Sequence, residues 1–208
     1  MNKKTKILIL FVSQILVFNS CKMIQISSLH PEVVLSKKLP GLQIINGINK
    51  PMTFNYGIYY VNNIYQDADI LYTRDIQDNI TNSSEEKYGY AEFKTILGQH
   101  GYAGWGWAGL SGFTLCIPNL LGMPLGNAKT SLEIELNILN SEKKVIGRYV
   151  AEGYAKVPIA LYYGYSSVNA IRTANLKALK MALKNINMQV EKDADMLNNK
   201  LIEAGKIK

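Results

Sequence analysis

The chain has 208 residues, of which 48% are hydrophobic and 19% charged, and its formal net charge is +7. That balance excludes a disordered polyelectrolyte and leaves enough length for one domain with a sizeable core. Arginine occurs only at Arg74, Arg148 and Arg172, and no arginine-rich arm or aromatic-basic motif appears, so nucleic acid is not an expected partner.

The first element is an address. Lys3, Lys4 and Lys6 precede an apolar run from Ile7 to Phe18 that only Ser13 and Gln14 interrupt. This is the pattern of a secretory signal, and the run is shorter than the roughly 20 residues of a membrane span. Its end, Ser20-Cys21, resembles a bacterial lipoprotein signal. In that family a small residue precedes a cysteine that receives diacylglyceryl and becomes the mature N-terminus. The resemblance implies lipidation at Cys21 and attachment to the membrane through an N-terminal lipid. At roughly 0.8 kcal/mol per buried CH₂, several acyl chains on one residue hold a protein at a bilayer durably. Lys22 follows without an acidic neighbour, and the expected location is the outer membrane, facing the periplasm. Removal of residues 1–20 takes away three of the 23 basic residues and none of the 16 acidic ones, so the formal charge falls to +4. With Cys21 acylated, Cys116 in FTLCIP has no intramolecular disulfide partner and is expected as a buried, inert thiol.

Residues 21–40 carry Pro31 and Pro40 and no steady period, which reads as a tether; residues 41–208 read as a single domain. From Gly41 the pattern turns to strands. GLQIINGI (41–48), TFNYGIYYV (53–61), ADILYTRDI (68–76) and KYGYAEFKTIL (87–97) are rich in β-branched and aromatic residues and are separated by turn signals. Asp67, Asp69, Asp75 and Asp78 lack the spacing of a calcium loop and are expected on a solvated face.

The clearest hairpin spans 130–157. Leu132, Ile134, Leu136 and Ile138 alternate with Glu133, Glu135 and Asn137, the period of a strand with one buried face. The return strand carries Gly147 and Gly153, candidate bulge or close-approach points. Ser166 or Ser167 can then cap a long helix in which Leu176, Leu179, Ala182, Leu183, Ile186 and Val190 share one arc. The arc narrows after Val190, which admits a bend near 191. The expected class is α+β: an antiparallel or mixed sheet with a long C-terminal amphipathic helix packed on it.

Between strands and hairpin lies GYAGWGWAGLSGFTLCIPNLLGMPLGNA, residues 101–128, without one charged residue. Two environments suit it. It crosses the core as a glycine-permissive segment, the favoured reading, or it contacts a bilayer or partner subunit through Tyr102, Trp105, Trp107 and Phe113. This run, with NLLGMPLG and the VPIALYYGYS junction before the helix, is similar to an uncharacterised family of lipoproteins from Bacteroidetes-type bacteria. The resemblance covers about residues 85–190 and implies compartment and fold, since the family has no assigned activity.

Chemistry is sparse. His30 and His100 stand far apart in sequence, and no nucleophile–base set, phosphate loop or metal-ligand spacing appears, so no catalytic residue, cofactor or metal is expected. Tyr162, Tyr163 and Tyr165 are candidates for stacking against a ligand. The expected role is a non-enzymatic assembly, scaffold or binding module of the cell envelope. The alternative is a subunit of an oligomeric transport or secretion complex. It would use residues 101–128 as its contact with the membrane, a homo-oligomer or an envelope protein partner.

Overall fold

A computed structural model describes residues 29–31, 35–45, 52–54, 61–82, 86–120, 122–160 and 165–207. Among them the elements run β1 (Leu42–Ile45), β2 (Met52–Phe54), α1 (Val61–Arg74) with a π-helical extension (Asp75–Ile80), β3 (Gly89–Ala103), α2 (Trp105–Phe113), α3 (Ile117–Leu120), β4 (Gly126–Asn140), β5 (Val145–Ile159) and α4 (Ser167–Ala204).

The sheet is mixed. β3, β4 and β5 form an antiparallel meander, and β1 and β2 run parallel to β3 along its other edge, β1 beside Gly89–Glu92 and β2 beside Gly98–His100. The alternation in β4 predicts its faces correctly: Leu132, Ile134, Leu136 and Ile138 are buried beneath α4. The class is α+β, as the sequence pattern implies.

One position sets how closely α4 sits on the sheet. A Cβ on Gly153 would lie 1.9 Å from the Ala178 carbonyl oxygen, so helix and strand meet backbone to backbone. Gly147 sits at the register shift opposite Ile138 and Leu139, where β5 bulges. The apolar arc of α4 is buried throughout and continues through Ala194, Leu197 and Leu201. The helix therefore runs unbroken over 38 residues, without the bend that the narrowing arc admits. The Ser166 hydroxyl accepts from the Asn169 N–H at 3.3 Å and caps its start. From the same helix, Asn185 and Gln189 donate side-chain amides to the Glu152 and Val150 carbonyls, occupying acceptors along the outer edge of β5.

Three expectations are corrected here. ADILYTRDI is helical, within α1 and its π-helical extension, because Ile64, Ala68 and Leu71 recur at the spacing of a helix face and all three are buried. Its acidic residues are not uniformly solvated: Asp67 and Asp75 point inward and are buried. The tether joins the fold before residue 41. Leu35 and Leu39 are in the main core, the Leu39 N–H donates to the Ile80 carbonyl at 2.8 Å, and Ser36 and Lys37 bond to Glu191 and Asp195 of α4.

Glu135 also departs from its expected place. It lies on the open sheet face yet is largely buried, accepting from Arg148 Nε at 2.8 Å and from Asn137 Nδ2 at 2.7 Å. A central strand is flanked on both sides, so its outward residues are covered by neighbours that an edge strand lacks.

Candidate functional site

The charge-free run leaves the sheet rather than crossing its core. β3 ends at Ala103, and Gly104, at φ 88°, turns the chain into α2. Ala108 and the buried Ser111 face inward from α2, while Trp107, Leu110 and Phe113 face out at 47%, 46% and 93% exposure. Leu115 and Ile117, at the turn into α3, are 82% and 59% exposed. Cys116 between them is exposed, which corrects its expected burial. The favoured core-crossing reading is overturned for this hairpin. Its apolar side chains have nothing to bury against, because the face of the sheet they would need is already occupied by α1 and α4.

The turn holds two non-glycine residues in the left-handed region, Leu115 at φ 50° and Cys116 at φ 60°. Each such residue costs roughly 1–2 kcal/mol. Most polar groups around it bond internally, the buried Asn119 Oδ1 excepted. The N–H groups of Thr114, Cys116 and Ile117 donate to the carbonyls of Leu110, Ser111 and Thr114 at 2.7–3.0 Å. The Ser111 and Thr114 hydroxyls donate back to the Trp107 and Leu110 carbonyls at 2.7 and 2.8 Å. The buried Asn119 donates to the Met123 carbonyl at 3.0 Å and ties the return toward β4. The tip thus offers apolar side chains outward and keeps much of its hydrogen-bonding capacity inward.

Beneath α2 lies a cavity of about 400 Å³. Tyr102 and Ala103 of β3, Ala108 of α2, Leu125, Gly126 and Asn127 at the start of β4, Ile159 of β5 and Ser167 of α4 line it, and the exposed surface is almost entirely carbon. A small second core of Ile64, Ala128, Val157, Ala170, Ile171 and Ala174, with Tyr102, Ile159 and Tyr165 against it, lies at the same end of the sheet. Among the described residues that line it there is no carboxylate, imidazole, thiol or amine.

The predicted contact residues therefore divide. Trp107 and Phe113 are on the outer face, Tyr102 is half-buried beside the cavity, and Trp105 is the first residue of α2. Tyr165 packs on the second core and its N–H donates to the Pro158 carbonyl at 3.4 Å. Cys21, Tyr162 and Tyr163 lie outside the described residues. Sequence reasoning missed the cavity, since its walls come from five separate elements and half of its described lining is ordinary alanine, leucine and isoleucine.

His100 and Asp75 are ionisable groups buried away from the hairpin. His100 bonds Thr130 through Nδ1 at 2.9 Å, and burial lowers its pKa to about 4. Asp75, on the π-helical turn, accepts at Oδ1 from Asn79 Nδ2 at 2.6 Å and from Asn187 Nδ2 of α4 at 2.8 Å. Burial raises its pKa to about 6, against the lowering effect of those two bonds. Between pH 3.8 and 6 the folded chain keeps a proton that the unfolded chain releases, so stability falls as pH rises and then levels off. Asp75→Asn keeps the acceptor and removes the charge. Its unfolding free energy in urea titrations should match the wild type near pH 4 and exceed it at pH 8, by roughly 2 kcal/mol. An equal difference at both pH values would show that Asp75 does not titrate with folding.

Among the described residues no cluster of three His, Cys, Asp or Glu side chains could hold a metal ion, and no helix is long and apolar enough to cross a membrane. No family model and no curated protein matches the chain. Among solved structures, a "putative lipoprotein" from Caulobacter crescentus is similar over 73% of this chain and 90% of that one, at 8% identity and a TM-score of 0.37. Likeness at that level leaves the site to be argued from its own residues.

Proposed function

We propose that this chain is a non-enzymatic binding module of the cell envelope. It is held by a lipid on Cys21 at the outer membrane, facing the periplasm, and engages the bilayer a second time through the α2–α3 hairpin. The exposed, uncharged tip carries this reading: Trp107, Leu110, Phe113, Leu115 and Ile117 project together while nearby backbone and hydroxyl groups bond internally. Hydrocarbon demands such satisfaction of polar groups, and an aqueous surface does not. A helix apolar on both faces is otherwise a buried one.

Reach is compatible with two contacts on one membrane. Eight residues separate Cys21 from Leu29, which is packed on the main core beside Arg74, and such a length spans at most roughly 28 Å. That is enough to return along the 14 residues of α1, about 21 Å, toward the hairpin end of the sheet. The acyl chains on Cys21 already hold the protein at the bilayer, and a second contact fixes its orientation there.

The test uses the mature lipidated protein in vesicles whose acyl chains carry bromine. Trp107 fluorescence, read in a Trp105→Phe background, should be blue-shifted and quenched. Phe113→Glu with Leu115→Glu should reduce quenching about tenfold or more and leave thermal stability within about 0.5 kcal/mol, as expected of exposed positions. Cys21→Ser should abolish fatty-acid labelling in cells. Unquenched Trp107 combined with a native mass of several chains would favour the oligomeric-complex alternative.

A further inference from the structure

We infer that the cavity beneath α2 is a binding site for one acyl chain of a membrane lipid. The inference rests on the proposed bilayer contact and extends it from an attachment to a lipid-binding activity. Size and lining set the ligand class. A methylene takes up about the volume of a water molecule, roughly 30 Å³, so a cavity of about 400 Å³ accepts some 10–14 carbons in line. Its described walls supply Ala103, Ala108, Leu125 and Ile159 carbon, and among the described lining residues Tyr102, Asn127 and Ser167 carry polar side-chain atoms. A sugar, peptide or nucleotide placed there would lose hydration without enough partners, whereas a hydrocarbon chain loses nothing polar.

Position supplies the independent argument. One short helix forms a wall of the cavity with Ala108 and projects Trp107, Leu110 and Phe113 from its other side. Among the described residues its larger contacts with the fold are with β4 and α3. A helix so lightly held, seated at a bilayer interface, has lipid chains on its outer face and a chain-sized apolar space behind it. Asn127 and Ser167, the first residue of α4, border the same space. They suit the ester end of the chain, where hydrogen-bond donors are needed.

The experiment places the mature lipidated protein in phosphatidylethanolamine–phosphatidylglycerol vesicles that contain a phosphatidylethanolamine with a diazirine on one acyl chain. After illumination, labelled residues are located by mass spectrometry. Labels are expected on two sets: Trp107, Phe113 and Leu115 outside, and Ala108, Leu125 and Ile159 inside. Ala108→Trp, and separately Ala103→Leu, fill the space from opposite walls. Each should reduce inner labelling about tenfold or more while outer labelling persists. Far-UV circular dichroism and a thermal melt confirm that either filled variant is folded, and the second variant stands if the first is not. Labels confined to the outer set overturn the acyl-chain site and leave the bilayer contact standing. Labels confined to the inner set, sensitive to filling, retain the site and overturn the contact. Inner labelling that survives both filled variants overturns the site, and labelling of neither set overturns both.

Discussion

Gly153→Val is expected to unfold the domain or bring it close to unfolding. A Cβ at this position would sit 1.9 Å from the Ala178 carbonyl oxygen, 2.7 Å from its carbon and 3.2 Å from the Ala182 Cβ. The first two are backbone atoms of a 38-residue helix and cannot rotate away as a side-chain tip would. Accommodation requires α4 to lift from β5, which opens the core where Leu179, Leu183 and Ile186 pack on Leu132, Ile134 and Tyr149. Overpacking of a closed core costs about 1–3 kcal/mol and more when backbone must move, against a typical total of about 5–15. A loss of at least about 3 kcal/mol is expected in urea titrations followed by circular dichroism. The neighbouring Tyr154→Val, on the solvent side of the same strand at 53% exposure, should change stability by less than about 1 kcal/mol. Similar midpoints for the two variants would mean that α4 rides higher above the sheet than the structure places it.

Arg172→Ala should be the second severe change, through the charge it leaves behind. Asp67 of α1 is 2% exposed, and Arg172 of α4 meets it in parallel bonds, Nε to Oδ2 at 2.5 Å and Nη2 to Oδ1 at 2.6 Å. Breaking a buried pair by removing one member costs about 3–5 kcal/mol; the guanidinium is one-third exposed, so about 2–4 is expected here. Replacing both with apolar residues, Asp67→Leu with Arg172→Leu, should recover much of that loss, since no orphaned carboxylate remains. The comparison is a double-mutant cycle read by urea unfolding. If the double variant is as unstable as the sum of the singles, the pair is not coupled.

The pair also joins α1 to α4, and the Asp75–Asn187 bond joins the π-helical extension of α1 to α4 about two turns further on. Neither link was legible. In sequence, Asp67 and Asp75 belong to an acidic stretch that reads as solvated, and their partners lie more than a hundred residues away. What buries them is the helical form of residues 61–80, and that was hidden because ADILYTRDI satisfies the composition of a strand as well as the spacing of a helix.

The amino-acid sequence by itself determined the elements whose faces repeat in a regular period. Leu132, Ile134, Leu136 and Ile138 alternate for long enough to set one face of β4, and the apolar arc of residues 176–190 specifies which side of α4 meets the sheet. Gly147 and Gly153 read equally as bulge or close-approach points, and only the packing of α4 and the strand register separate them, Gly153 as the close approach and Gly147 at the bulge. Tertiary structure decided everything that depends on what lies opposite. Residues 101–128 are apolar enough for a core, but α1 and α4 already cover the available sheet face, so the α2–α3 hairpin projects and Trp107, Leu110, Phe113, Leu115 and Ile117 stay exposed. Glu135 is polar enough for solvent, yet neighbours on a central strand bury it. The cavity exists only because the ends of β3, β4 and β5, the start of α4 and one wall of α2 converge. Local sequence carries periodicity, whereas burial belongs to a residue together with its distant neighbours, and only folding brings those together.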